Sequence, residues 1–323
     1  MERTLPDVND LGVYKFRQLP LVVEGESKEV RYLGNGLVAI LLKPTVYSFT
    51  HQRARIVLGT DMARLHASRI LHHIVHEAGV KDAYLQVGDQ YILADLVLQP
   101  VTPEQPRPFR PNRDMDWSTL RLAPPIEVVV KIRHTGTSFH RYHEMVCHPL
   151  REIYGGATAA FEKNGLYPEP LVRFDWRNPV WRDDPKTEEQ RRLANWLFME
   201  EQRTGQMMPL EMWQMAGRTM EKDEVLGDQQ ANWFIDVAKA RETVLKAFHA
   251  LQNFMRSRGL EIWDICFFVT EDGEMIFGEI SPDCMRVRLI DDTAESFDKD
   301  VFRAGGSDDR VAEKWNRFVE KIS

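Results

Sequence analysis

The strongest constraint on this chain is the run from Gln230 to Val269. Its first part places Phe234, Val237, Val244, Phe248, Leu251 and Met255 at intervals of three, four or seven, the spacing of an amphipathic helix that buries one face. That pattern predicts one long helix over 230–258, stopped by Gly259. "LEIWDICFFV" follows at once and reads as a strand, and "TEDGEMIF" adds an Asp-Gly turn and a short apolar return. A helix delivered directly onto a strand and hairpin demands a sheet with a helix packed against it.

The rest of the chain supplies the partners. "LPLVVEGESKEVRYL" and "GLVAILL" read as strands punctuated by Gly25, Gly34 and Gly36. "DMARLHASRILHHIVHEAG" reads as a helix with Asp61 as its cap and Gly79 at its end. "AYLQVG" and "QYILADLVL" are further strands, and "PPIEVVVKIR" is a valine-rich buried one. Helices are expected over 187–203, 209–220 and 308–322. The segment 99–125 is rich in proline and arginine and reads as a connection. The fold class is therefore α+β. The chain divides into a β-rich N-terminal lobe over 1–124, with the proline-rich loop at its end, and a larger α/β lobe over 125–323.

A net charge of −7 on 323 residues argues against a general binder of nucleic acid or anionic membranes. The cysteines, Cys147, Cys266 and Cys284, are odd in number and lack a CxxC pair, which points to a reducing compartment rather than a disulfide framework. "MERTLPDVND" is too polar for a secretory leader, and no apolar run is long enough to span a bilayer. The expectation is a cytoplasmic protein. His72 and His76 lie one helical turn apart, as do His140, His143 and Cys147 in "FHRYHEMVC". Either set has a spacing that suits zinc, but neither shows a complete ligand set, and packed or surface histidines are the expected reading.

Several segments, in order along the chain, resemble the SAICAR synthetase family. "GLEIWDICFFVTEDGEMIFGEISPDCMRVRL" is similar to its helix-strand-hairpin segment ending in Ser-Pro-Asp and a following Arg. "SFDKDVFRAGG" resembles its Asp-Lys-Asp segment, and "PIEVVVKIRHTGTS" its hinge strand and phosphate loop. "EGESKEVRYL" resembles its nucleotide loop and "DWRNPVWRDDP" a substrate loop. The resemblance implies a two-lobed SAICAR synthetase-like fold with ATP and Mg²⁺ between an antiparallel nucleotide-binding sheet and an ATP-grasp-like α/β lobe. It also implies an amide-forming ligase: a carboxylate is activated as an acyl phosphate and joined to an amine, aspartate being the expected one. A homo-oligomer is compatible with it.

Carried over residue by residue, the resemblance assigns ATP contacts to Lys28 and to Glu127 on the hinge strand. It assigns substrate contacts to Lys131, Arg133, Thr137, Asp283 and Arg286. Two cations on one strand and a hydroxyl beside Gly136 suit an anionic group. Taken without the resemblance, Lys28 reads equally as a solvated turn lysine and the strand cations as an edge. Asp264 and Asp283 are the catalytic candidates, and Glu279 with Asp264 the Mg²⁺ ligands, on the reasoning that their strands are paired in one hairpin.

The departures point to a changed substrate. The family strand reads Asp-Phe-Lys-x-Glu-Phe-Gly, whereas this chain reads "DICFFVT", with Cys266 for the lysine and Phe268 for the metal glutamate. The later Gly-Asp-Glu shortens to "GE", and "YSFTHQR" replaces a glycine-rich loop near Tyr47 to Arg53. A heteroaromatic, phosphoribosyl- or nucleoside-linked carboxylate in specialised metabolism fits these changes. The competing reading is a catalytically inactive nucleotide- or phosphate-binding homologue. A phosphotransferase ranks last, because no kinase signature is present.

Overall fold

The computed structural model describes residues 5–48, 53–98, 109, 120–136, 161–176, 181–204, 208, 210–220, 224–291 and 293–323. Two five-stranded sheets organise them. The first runs in the order Leu21–Glu24, Lys28–Gly34, Leu37–Leu42, Ile92–Asp95, Tyr84–Val87, antiparallel throughout. The second runs Glu224–Leu226, Leu166–Trp176, Ile126–Arg133, Leu260–Phe267, Met285–Leu289, again all antiparallel. The strands expected from "VVEGESKEVRYL", "GLVAILL", "YILAD" and "IEVVVKIR" are those observed.

The alternation of side chains sorts the second sheet into two faces. Ile126, Val128, Val130 and Ile132 enter the main core with Val172, Phe174, Ile262, Ile265 and Val287. Glu127, Lys131, Arg133, Arg173, Asp175, Asp264, Arg286 and Arg288 belong to the opposite face. A register irregularity between Ile262 and Asp264 shifts the alternation by one residue at Trp263, so Leu260 and Ile262 face the core before it and Ile265 and Phe267 after it.

The Thr60–Glu77 helix ties the two sheets together. Its Leu65 packs in the core of the first sheet, while Ala67, Leu71 and Val75 pack in the core of the second. Ala63 joins Val46, Phe302, Val311 and Trp315 beneath the C-terminal helix Asp308–Ile322. Gly59, at φ +86°, occupies the cap position expected for Asp61, which lies in the first turn instead. Gly79, at φ +68°, ends the helix as expected.

Two expectations need correction. The single helix over 230–258 is broken: Asp228–Ala231 is followed by a separate helix, Val237–Ser257. The Asp236 side chain accepts from Lys239 N at 3.0 Å, and Asn232 Oδ1 accepts from Val237 N at 3.4 Å. Those side-chain oxygens take the place of helical carbonyls and start a new helix. The helix expected over 209–220 stops at Met215. Gly217, at φ +95°, turns the chain into the strand Arg218–Met220, which pairs with Trp181–Asp183. A Cβ on Gly217 would lie 2.8 Å from Pro185 Cα, so only glycine admits this turn. Among the described residues no helix is long and apolar enough to cross a membrane.

Candidate functional site

The polar face of the second sheet carries a cross-strand row of charges. Lys131 sits directly opposite Asp264, and Asp264 directly opposite Arg286, on three adjacent strands. Lys131 Nζ donates to Asp264 Oδ2 at 2.5 Å, and Arg286 Nη1 donates to the same oxygen at 2.6 Å. Burial pushes the Asp264 pKa up, but the charges of Arg286 and Lys131 outweigh it and hold the carboxyl far below its ordinary value. Burial lowers the Lys131 pKa, helped by Arg286 and Arg173 and opposed by Asp264. At neutral pH Asp264 is therefore the shared counter-ion of two cations.

A second ring of charges supports this row. Arg286 Nε lies 3.4 Å from Asp300 Oδ1, to which Arg303 Nη1 donates at 2.7 Å. Arg288 is bound by Asp298 and Asp300, and Asp298, fully buried, also accepts from Val287 N at 2.9 Å. Gly136 packs against the Arg286 guanidinium so closely that a Cβ there would lie 2.8 Å from Nη2. The loop after the central strand thus reaches the Arg286 end of the row. Arg133 departs from the expected convergence. A register shift separates it from Lys131, and its guanidinium goes to Glu261 at 3.0 Å and over the Trp263 ring at 5.6 Å. Arg288 meets the same ring at 4.9 Å. Thr137, His140, His143 and Cys147 lie outside the described residues.

The second cluster centres on Glu279. The buried Arg64 donates to both carboxylate oxygens, from Nε at 2.8 Å and from Nη2 at 2.5 Å, and to Lys43 O at 2.8 Å. Ser281 Oγ adds a bond to Glu279 Oε1 at 2.6 Å. Burial raises the Glu279 pKa, but Arg64 foremost, then Lys28 and Ser281, bring it down to about 2. Ser281 Oγ also accepts from Asp283 N at 3.1 Å, which sets the turn containing Pro282. Asp283 Oδ1 lies 3.2 Å from Lys299 Nζ, and Lys299 sits 5.0 Å from the Tyr47 ring centroid. Lys28 Nζ is 5.9 Å from the Phe268 ring centroid. Phe268 in turn covers Gly278, where a Cβ would lie 2.4 Å from Phe268 Cδ2.

The arrangement overturns the geometric basis on which Glu279 and Asp264 are expected to share a metal. The Asp264 strand pairs with Ile126–Arg133 and Met285–Leu289. The hairpin return Met275–Ile276 closes antiparallel on Phe268–Thr270 and also pairs in parallel with Lys81–Asp82, but it leaves the Asp264 strand after Phe277, where Cys266 N bonds to Cys284 O instead. Asp264 is bonded to Lys131 and Arg286, whereas both oxygens of Glu279 are bonded to Arg64. Among the described residues no group of three or more His, Cys, Asp or Glu is placed to hold a metal. Mg²⁺ on a nucleotide takes one or two carboxylates and completes its shell with phosphates and water, and Glu279 and Asp264, the two expected donors, are turned to cations instead.

Glu127 lies directly opposite Asp175 on the polar face, one strand over from the Arg173–Asp175 pair, in which Arg173 Nε donates at 2.6 Å. Cys266 shares this face and is buried enough that its thiol pKa is pushed well up. His72 is bonded through Nδ1 to the buried Asp82 and stacks on Tyr84 at 4.2 Å, with His76 Nε2 3.6 Å from the same carboxylate. These histidines pack the helix against a strand end.

Arg64, Arg288, Asp298 and the Arg173–Asp175 pair are site residues that the sequence reading does not single out. Arg64 left a signal: it falls on the stripe of Ala67, Leu71 and Val75, where an arginine is tolerated only with a buried partner. Arg288 left another, two residues from Arg286 on one strand and therefore on the same face.

Comparison with known proteins agrees with this architecture. Residues 200–322 match the family model of SAICAR synthetase. The chain is 26% identical over 325 residues to "Bifunctional cordycepin biosynthesis cluster protein 3" of Cordyceps militaris, an alignment covering 93% of this chain and 32% of that protein. It thus spans about a third of that relative's length. The phosphoribosylaminoimidazole-succinocarboxamide synthase of Ehrlichia chaffeensis superposes with a TM-score of 0.62 at 15% identity, covering 94% of this chain and 98% of the other. A SAICAR synthetase solved in complex with ADP superposes with a TM-score of 0.59 at 18% identity, covering 94% and 97%. The chain has the fold of the SAICAR synthetases, and its C-terminal part matches that family's model.

Proposed function

We propose that this chain is an ATP-dependent carbon–nitrogen ligase. It joins a heteroaromatic, phosphoribosyl- or nucleoside-linked carboxylate to the amine of an amino acid such as aspartate. The observation that carries this reading is the buried Lys131–Asp264–Arg286 row in a chain with the SAICAR synthetase fold. A carboxylate oxygen attacks the γ-phosphorus of ATP, ADP leaves, and an acyl phosphate forms. The amine nitrogen then attacks the acyl carbon, phosphate departs with the carboxylate's former oxygen, and the amine loses a proton to give the amide.

The chain's part is to bind and orient. Lys28, at the start of its strand, meets the nucleotide phosphates, and Glu127 on the central strand meets the nucleoside end. Lys131 and Arg286, held side by side by Asp264, receive the substrate's anionic oxygens. Asp264 acts as a positioning residue, since its oxygen is already shared by two cations. Asp283, beside Lys299, faces the incoming ammonium, which a carboxylate attracts and can deprotonate.

Incubation with ATP, magnesium, aspartate and a panel of azole carboxylates tests the reading. ADP, phosphate and an amide whose mass is that of the acid plus the amine less one water, formed in equal amounts, are the expected products. ADP release without amide from any amine or carboxylate would contradict it.

A further inference from the structure

The second cluster makes a statement about charge that the first does not. A nucleotide triphosphate or diphosphate needs positive charge opposite its oxygens, from side chains or from a divalent ion held in part by protein carboxylates. Glu279 is turned to Arg64, which takes both of its oxygens, and Asp264 is turned to Lys131 and Arg286. Phe268, just after the Leu260–Phe267 strand, meets Lys28 at the start of the Lys28–Gly34 strand of the first sheet. Its ring packs onto Gly278 and tilts against Phe277, with centroids 5.7 Å apart. The Lys28 ammonium stands 5.9 Å from the same centroid, within the range of cation–π attraction.

These contacts depend on one another. Any side chain at 278 would collide with the ring, and a polar side chain at 268 would remove the surface on which Lys28 rests. Phe268 and Gly278 together form an apolar floor that carries an ammonium at the seam of the two sheets. Lys28 also contributes to holding Glu279 ionised, so the cation sits over a ring and near a carboxylate already neutralised by Arg64.

We propose that Lys28, seated on Phe268, provides the positive charge that receives the nucleotide phosphates, in place of a divalent ion held by Glu279 or Asp264. This rests on the nucleotide-using reading above and adds how the phosphates are held. Nucleotide affinity then depends on Lys28 and the Phe268 ring, and only weakly on magnesium.

The test is calorimetric titration of ADP into the protein, once with magnesium and once with EDTA. The two dissociation constants are expected to agree within about threefold. Lys28→Ala weakens binding about tenfold in both buffers, as loss of a charge-assisted phosphate contact should, and Lys28→Arg restores most of it. Phe268→Leu, which keeps an apolar side chain but removes the ring, weakens EDTA binding severalfold. Phe268→Glu makes binding magnesium-dependent. Unfolding temperatures within a few degrees of the parent confirm that each variant is folded. Binding seen only with magnesium, or unchanged by Lys28→Ala, overturns this proposal and leaves the ligase reading standing. No ADP binding in either buffer overturns both.

Discussion

Replacing Glu279 by Gln separates a structural carboxylate from a catalytic one. In the parent, Arg64 is fully buried and gives two bonds to Glu279, one to Lys43 O and longer ones to Ser27 O. The variant keeps the shape but leaves the guanidinium without its counter-charge. Removing one partner of a buried ion pair costs about 3–5 kcal/mol. Linkage gives an independent figure. Against the opposing effect of burial, the Arg64 guanidinium brings the Glu279 pKa down from its ordinary 4.5 to about 2, which corresponds to stability on the order of 3 kcal/mol. Because the folded pKa is depressed, that contribution is complete above the unfolded value and is lost as pH falls through 4.5 toward 2. The two routes agree, so Glu279→Gln should lose about 3 kcal/mol at neutral pH in urea unfolding. Its stability should also vary less than the parent's as the buffer is acidified. A loss below about 1 kcal/mol, with an unchanged acid profile, would refute the reasoning and return Glu279 to the role of a free site carboxylate.

Asp264→Asn leaves Lys131 and Arg286 facing each other across one strand; substrate affinity should fall at least about tenfold, read as a raised KM, while Asp264→Glu retains part of it. Gly136→Ala forces a Cβ to within 2.8 Å of Arg286 Nη2 at a backbone φ of +61°. It should lower kcat/KM about tenfold or more with a loss of stability of only about 1 kcal/mol. Burial pushes the Cys284 thiol up to about 12 and the Cys266 thiol well up. In a Cys147→Ser background neither should react with a thiol reagent at mildly alkaline pH until the protein is unfolded, and rapid labelling of the native chain would contradict that.

The sheets were legible because their chemistry is periodic. Alternation in "PIEVVVKIR" separates the Ile-Val core face from the face of Glu127, Lys131 and Arg133 in the sequence itself, whereas in "LEIWDICFF" it would wrongly put Asp264 on the face of Ile262. The row Lys131–Asp264–Arg286 was legible only as members, since strand register decides which residues stand opposite one another. The bulge at Trp263 and the register shift before Arg133 carry no mark in composition. They explain why Arg133 turns to Glu261 rather than toward Arg286. The expected hairpin forms at Val269–Ile276, but the Glu279–Asp264 pairing fails because the return ends at Phe277 and Met285–Leu289 takes the place beside Asp264, a non-local pairing that no local pattern specifies. The helix break at Asn232–Asp236 was hidden because Phe234 and Val237 keep helical spacing through it, although Asp236 is an ordinary capping residue.

The central claim is that a carboxylate is activated by ATP and captured by an amine on this chain. The most direct measurement supplies an azole carboxylate labelled with heavy oxygen, together with ATP and aspartate, and follows the label by mass spectrometry. The account predicts that each amide formed releases one phosphate carrying a single labelled oxygen from the carboxylate. Amide accompanied by unlabelled phosphate, or ADP release with the label left entirely in the carboxylate, would contradict it.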